Sequence, residues 1–187
     1  WSSDVCSSDL EGEILTFLAG PHGGNLDDHM NGIGATLHIP VFQPGALLAI
    51  GDMHASMGDG EISGTGVEIG GDVLISVDVI KNKHAGFPIT ETADAWYTHG
   101  VTDNDLNGAI KLACEEAAKL LVDEWGFTME DAFIFLSVAG DAGIAQACHP
   151  CPGSVIARVR VPKLAADRKS TRLNSSHIPL SRMPSSA

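Results

Sequence analysis

The sequence predicts an α+β protein, mainly β, and three observations carry that prediction. Short apolar stretches, several with two-residue alternation, run through the first 80 residues, separated by Gly, Pro, Asn and Asp. From about residue 102 the apolar spacing lengthens to three and four, the period of an amphipathic helix. A last alternating stretch closes the pattern at 154–161. Strands, then a helical pair, then a strand describe α+β rather than alternating βαβ.

Ile14 to Leu18 is a short apolar run and reads as a buried strand. Gly20 to Gly34, GPHGGNLDDHMNGIG, is a loop that carries His22, Asn25, Asp27, Asp28 and His29. Its Asn and Asp residues also suit turns, because their side chains bond their own backbone. Ile33, Ala35, Leu37, Ile39 and Val41 alternate as one face of a half-buried strand, with His38 on the other face. Pro44-Gly45 turns the chain into Ala46 to Ile50, an apolar strand that delivers Asp52 and His54 at its end. Asp72 to Lys81 places Val73, Ile75, Val77 and Val79 on one face and Leu74 and Ile80 on the other, a strand covered on both sides. Lys81 to Gly86 is a polar connector, and Phe87 to Trp96 is too irregular to assign.

Thr102-x-x-Asp105 marks a helix start, and Leu106, Ile110, Ala113, Ala117, Leu121 and Trp125 form its apolar stripe as far as Gly126. Cys114 lies beside that stripe as a core residue. Thr128-x-x-Asp131 opens a second helix that runs to about Val138. Ser154 to Val161 is the final strand, with Val155, Ala157, Val159 and Val161 inward.

At 187 residues the chain can bury a core, and at 44% hydrophobic and 19% charged it has the balance of a soluble globular protein. No apolar run reaches the length of a membrane span. The formal net charge of −13, with no basic patch to offset it, argues against nucleic acid. Four cysteines are too few for a disulfide scaffold, so a reducing cytoplasm is the expected compartment. Residues 1–10 and 168–187 are Ser-rich and lack apolar periodicity. Both ends resemble the sequencing-adaptor read-through that recurs in metagenomic gene models. Natural disordered tails are the other reading. The expected organisation is therefore a domain at 11–167 between two ends that are non-native or disordered.

The functional residues cluster in Gly51 to Glu68, GDMHASMGDGEISGTGVE, with Asp52, His54, Asp59, Glu61 and Glu68 among glycines. In extended backbone, residues two apart point the same way, which pairs Asp52 with His54 and Asp59 with Glu61. A carboxylate and an imidazole on one face supply half of a divalent metal site. A glycine-rich acidic hairpin with solvated charges fits the same spacing.

With these segments placed, the chain closely resembles the acetamidase/formamidase family of amide hydrolases. The resemblance rests on GPHGGNLD at 20–27, TLHIPVFQPGALLAIGD at 36–52 and MHASMGDGEISGTGVE at 53–68. The helix pair at 102–138 and SVAGDAGIAQA at 137–147 join them. It implies hydrolysis of short aliphatic amides to a carboxylate and ammonia. It also implies a jelly-roll or β-sandwich-like part beside a smaller α+β part holding the helix pair, and a divalent metal, usually zinc. Carried over residue by residue, Asn25 and Asp27 match the GGNxD block, as substrate contacts. Asp52, His54, Asp59 and Glu61 match the GDxHAxxGDGE block, and Glu68 ends the TGVE strand. The expected ligands are His54 and Asp52; Glu61 and Glu68 are the candidate bases, with Asp59 also assigned to the catalytic group. The family pattern is less particular at His22. Ala142-Gly143 and Cys148-His-Pro-Cys151 depart from it, and family members have a long N-terminal portion with further strands. A small amide is the expected partner and a homodimer the expected assembly.

Resonance makes an amide a poor electrophile with a poor leaving group, and a metal-activated water with a carboxylate base answers both problems. A nucleophilic route has less support, since neither a Gly-x-Ser-x-Gly elbow nor a cysteine in a cationic setting is present. Cys148 and Cys151 form a single CxxC, which suits structural zinc, redox chemistry or a plain exposed loop. The competing class is a non-catalytic, calcium-stabilised β-sandwich binding module, because acidic Gly-rich loops suit calcium. His54 discriminates, since imidazole is a poor calcium ligand.

Overall fold

The computed structural model describes residues 2–7, 15, 17–83, 85–149 and 153–164. The elements in chain order are β1 (Ser2–Ser7), β2 (Ala19–Gly20), β3 (Gly23–Gly24), β4 (Thr36–His38), β5 (Leu48–His54), β6 (Ile89–Glu91) and β7 (Ala95–Asp103). Helices α1 (Leu106–Trp125) and α2 (Met129–Ala139) follow, then β8 (Asp141–Gln146) and β9 (Ser154–Pro162). β4, β6, β7, β9 and β8 form, in that order, a five-stranded sheet in which every pair is antiparallel. β1 pairs with β5, and β2 with β3.

The two central strands, β7 and β9, divide their side chains between two covered faces. On one face Ala157, Val159 and Val161 pack with Ala109, Ala113, Ala117, Leu121 and Trp125 of α1. Trp125 meets Trp96, Phe127 and Phe135 edge-on, with ring centroids 6.1, 5.6 and 5.2 Å away. The helix lies close to β7 at Gly100, where a Cβ would stand 2.1 Å from the Ala109 carbonyl oxygen. On the other face Val101 and Ile156 join Leu26 and Ala145 in a second core. That face also carries His99 and Arg158, and it is where the site lies.

Local signals set the helix ends. The Asp105 side chain accepts from the Gly108 N–H at 3.0 Å, which makes Asp105 the cap of α1. The Thr102 hydroxyl donates to the Asp105 carbonyl instead, because β7 continues through Asp103. Gly126 ends α1 at φ 67°, and Thr128 caps α2. β9 has the bounds and the inward face expected of it.

Other stretches differ from expectation. No strand forms at 72–81, and Leu74 is 100% exposed, because no described neighbour takes up that backbone. β4 covers only the middle of the 33–41 alternation; Ile33 sits in a turn beside Gly34 and is 89% exposed. Leu15 and Phe17 are exposed and lie outside any strand. The unassigned 87–96 stretch holds β6 and the start of β7, and β8 was not anticipated. Residues 2–7, expected to stand apart from the fold, pair with β5. An open strand edge accepts any extended backbone, so this pairing belongs to β5 as much as to residues 2–7. Residues 168–187 lie outside the described residues. Among the described residues no helix is long and apolar enough to cross a membrane.

Candidate metal centre

The register of β5 shifts near its end. Gly51 pairs with Asp4 and His54 with Ser2, so β5 spends one extra residue across this interval. Asp52 takes φ 55°, the left-handed backbone of a bulge. Simple alternation is therefore lost: the His54 side chain is 1% exposed and that of Asp52 45%. The two still converge, with Asp52 Oδ1 3.6 Å from His54 Nε2. Beyond the strand, Ala55 donates to Val67, Val67 to Ser56 and Ile69 to Met53, which sets Glu68 opposite His54. Glu68 Oε1 lies 2.9 Å from His54 Nε2 and accepts from the Thr65 hydroxyl. Partial burial and the charge of Glu68 push the Asp52 carboxyl up, against the pull of His54. The Thr65 hydroxyl and His54 hold the Glu68 carboxyl down.

Asp27 completes the group. One donor atom each from Asp27, Asp52 and His54 lies within 4.8 Å of the others. Asp27 Oδ2 accepts from Asn25 Nδ2 and from Gln146 Nε2. The same Gln146 nitrogen donates to Glu61 Oε2 at 2.8 Å, so one buried amide joins the Asp27 and Glu61 carboxylates.

A second bulge aims that amide. Ile144 pairs with Ala157, which faces the helices, yet Gln146 pairs with Ile156, which faces the site. The register shift between them carries Gln146 across the sheet. Gly60 N–H donates to Ala145, Ala147 N–H to Gly60 and His149 N–H to Ile62, which docks the Glu61 loop alongside the end of β8. Glu61 itself is buried, at φ 40°.

Behind the group lies an ion network. Asp28, 0% exposed, accepts from Arg158 Nη1 at 2.9 Å and from the Met30 N–H, and its Oδ2 is 2.9 Å from His99 Nε2. Burial alone would raise the Asp28 carboxyl; the His99 contact, the charges of His99 and Arg158 and the Met30 N–H outweigh it and hold it low. Arg158 Nη2 donates to both oxygens of Asp59 at 2.8 Å, and His29 Nδ1 is 2.9 Å from Asp59 Oδ1.

Two carboxylates and one imidazole suit a borderline divalent cation. Donors of a tetrahedral zinc, with bonds of about 2.0–2.1 Å, stand roughly 3.4 Å apart. The 3.6 Å between His54 Nε2 and Asp52 Oδ1 is close to that spacing. The candidate ligands His54 and Asp52 thus come together, and Asp27, expected at the substrate, stands with them. Asn25 bonds Asp27, Glu61 reaches the group through Gln146, and Glu68 meets the His54 ring. Asp59 is held in the Arg158 ion pair. His22 is buried in the β2–β3 hairpin, its ring between Gly20 and Gly24. Cys148 is in a disulfide, which removes its thiolate from any zinc site, and Cys151 lies outside the described residues. Gln146 and Arg158 were missed. The arginine had a signal, a charge set in the apolar run SVIARVRVP, since a buried charge needs a partner.

The acetamidase/formamidase family matches residues 15–164. The chain is 32% identical over 148 residues to the acetamidase of Mycolicibacterium smegmatis, covering 67% of this chain and 36% of that protein. It is 30% identical over 165 residues to the formamidase of Methylophilus methylotrophus, covering 78% and 38%. A crystal structure of a recombinant predicted acetamidase/formamidase from Thermoanaerobacter tengcongensis superposes with a TM-score of 0.82 at 34% identity, covering 92% of this chain and 56% of that one. The Bacillus halodurans acetamidase gives 0.78 at 35%, covering 86% and 53%. The chain thus spans a little over a third of these curated relatives and about half of the solved ones. On the family match, the sequence identities and the shared fold, this chain belongs to the acetamidase/formamidase family.

Proposed function

We propose that this chain hydrolyses short aliphatic amides, such as formamide and acetamide, to a carboxylate and ammonia, at a zinc site held by Asp27, Asp52 and His54. The observation that carries the reading is the convergence of those three donors, with a buried carboxylate one shared amide away. The names of the relatives, acetamidase and formamidase, support the substrate class. The imidazole among the donors favours zinc over calcium, which prefers an all-oxygen set. A zinc ion supplies a Lewis acid that polarises the amide carbonyl and brings the pKa of water towards 7.

The residues around it divide the remaining work. Glu61 is the general base: it accepts the proton of the attacking water and returns it to the departing nitrogen. Gln146 holds Glu61 Oε2 beside the group, and Asn25 and Gln146 together fix Asp27 Oδ2. Glu68, its Oε1 on the Nε2 side of the His54 ring, is the second candidate for base. With this activity we pair a cytoplasmic location and a dimeric assembly.

The test is zinc content and ammonia release by the purified chain, with His54→Ala and Glu61→Gln beside it. His54→Ala loses zinc and turnover together. Glu61→Gln keeps its zinc and loses at least about a hundredfold in turnover, within the range expected of a general base. Full turnover after the ion is stripped by a chelator overturns the reading.

A further inference from the structure

Arg158 stands outside the group of donors, yet it is bonded to the loop that supplies Asp27 and to the loop that supplies Glu61. Nη1 donates to Asp28, the neighbour of Asp27, and Nη2 clasps both oxygens of Asp59, two residues before Glu61. We propose that Arg158 is a positioning residue that sets the Asp27 ligand and the Glu61 base at a fixed separation, with Asp28 and Asp59 as its two arms. The inference rests on the function proposed above.

The surroundings of Arg158 are built for that task. It lies on β9, flanked by β7 and β8 inside the five-stranded sheet, directly across from His99. His99 is itself fixed, with Nδ1 2.8 Å from the Pro88 carbonyl and Nε2 2.9 Å from Asp28. Asp28 therefore anchors its loop to two neighbouring strands at once. Within that loop the Asn31 N–H bonds the Asp28 carbonyl, and the Asn31 side chain accepts from the Thr90 hydroxyl. Asp27, one residue along, has little freedom left. A planar guanidinium presents its two ends in a fixed fork, which an ammonium on a flexible stem does not reproduce. Glu61 is independently docked on β8, so the Asp59 clasp adjusts its position and does not create it.

The arms make different predictions, read by zinc affinity in chelator competition, by kcat and KM on formamide, and by the melting temperature of the metal-free chain. Asp28→Asn weakens zinc binding about tenfold or more, the scale on which partners of metal ligands act. Asp59→Asn, at a half-exposed position, keeps zinc affinity and lowers kcat about tenfold with KM unchanged. Arg158→Lys shows both losses while remaining folded at the assay temperature. A purely structural Arg158 lowers the melting temperature in all three variants but leaves zinc affinity and kcat at wild-type values below it, and that result overturns the inference. If Arg158→Lys fails to fold, the split between the two aspartate variants decides: equal effects, or none, sink it. A wild-type chain that neither binds zinc nor releases ammonia refutes the proposed function instead, so the two failures are distinct.

Discussion

Gly66 lies flat against the imidazole of His54. A methyl group at residue 66 would stand 2.8 Å from His54 Cγ, 3.0 Å from Cδ2 and 3.0 Å from the Ser56 carbonyl oxygen. The ring cannot hold its place beside a larger residue, because the carbonyl blocks the backbone from yielding. Gly66→Ala is expected to weaken zinc binding at least about tenfold in chelator competition. Unchanged affinity would show that His54 holds no metal.

Gln146 shares one amide nitrogen between the Asp27 and Glu61 carboxylates. Gln146→Leu keeps most of the volume and removes that donor, leaving two buried carboxylates without their common partner. Amide turnover should fall about 10–100-fold, with a smaller loss in zinc affinity. Steady-state kinetics beside metal titration checks this; wild-type turnover would free the amide of any part in the chemistry.

Gly100 is a point of close approach between the sheet and α1. A Cβ there would meet Ala109 O at 2.1 Å and Ala113 N at 2.5 Å, both backbone atoms of the helix. Since neither can rotate away, Gly100→Ala should cost at least about 3 kcal/mol. That is roughly 6–12 °C in melting temperature for a domain of this size. A loss below 2 °C by differential scanning calorimetry would mean that the helix shifts freely over the strand.

Glu91 is one source of acid sensitivity. His38 Nε2 at 2.8 Å and Lys163 Nζ at 2.5 Å hold its carboxyl down at about 2, against an ordinary 4.5. A carboxyl lowered in the folded state stabilises above its unfolded pKa, and that stabilisation is lost as pH falls from about 4.5 towards 2. Because Glu91 is partly exposed, water screens the pair and the effect is on the order of 1 kcal/mol. Melting curves at pH 5 and pH 3 should show a steeper loss for the wild type than for Glu91→Gln. Parallel losses would assign the acid sensitivity to other groups.

The parts of the fold legible in the sequence are those set by local chemistry. The Thr128 cap, the Gly126 stop and the alternation of β9 each depend on residues within a few positions of one another. Asp52 and His54 were legible as a pair because they share a strand end. Asp27 was not legible as their companion, because the turn that brings it there is anchored on β7 and β9, far along the chain. The bulges in β5 and β8 leave no periodic mark, so the arrival of Gln146 at the site could not be read. Residues 72–81 show the opposite case: a clear alternation that no described strand pairs with.

Arg158 also sets a clock on assembly. Its partners Asp28 and Asp59 precede it by 130 and 99 residues, and Gln146 follows Asp27 by 119. At about 5–20 residues per second of synthesis, Asp28 waits roughly 6–26 s for its guanidinium. During that interval the two carboxylates lack this guanidinium, and contacts of this separation are slow to close. Asp28 and Asp59 gain their shared guanidinium only when β9 joins the sheet, so the arrangement proposed for the two loops is completed after β9 is translated.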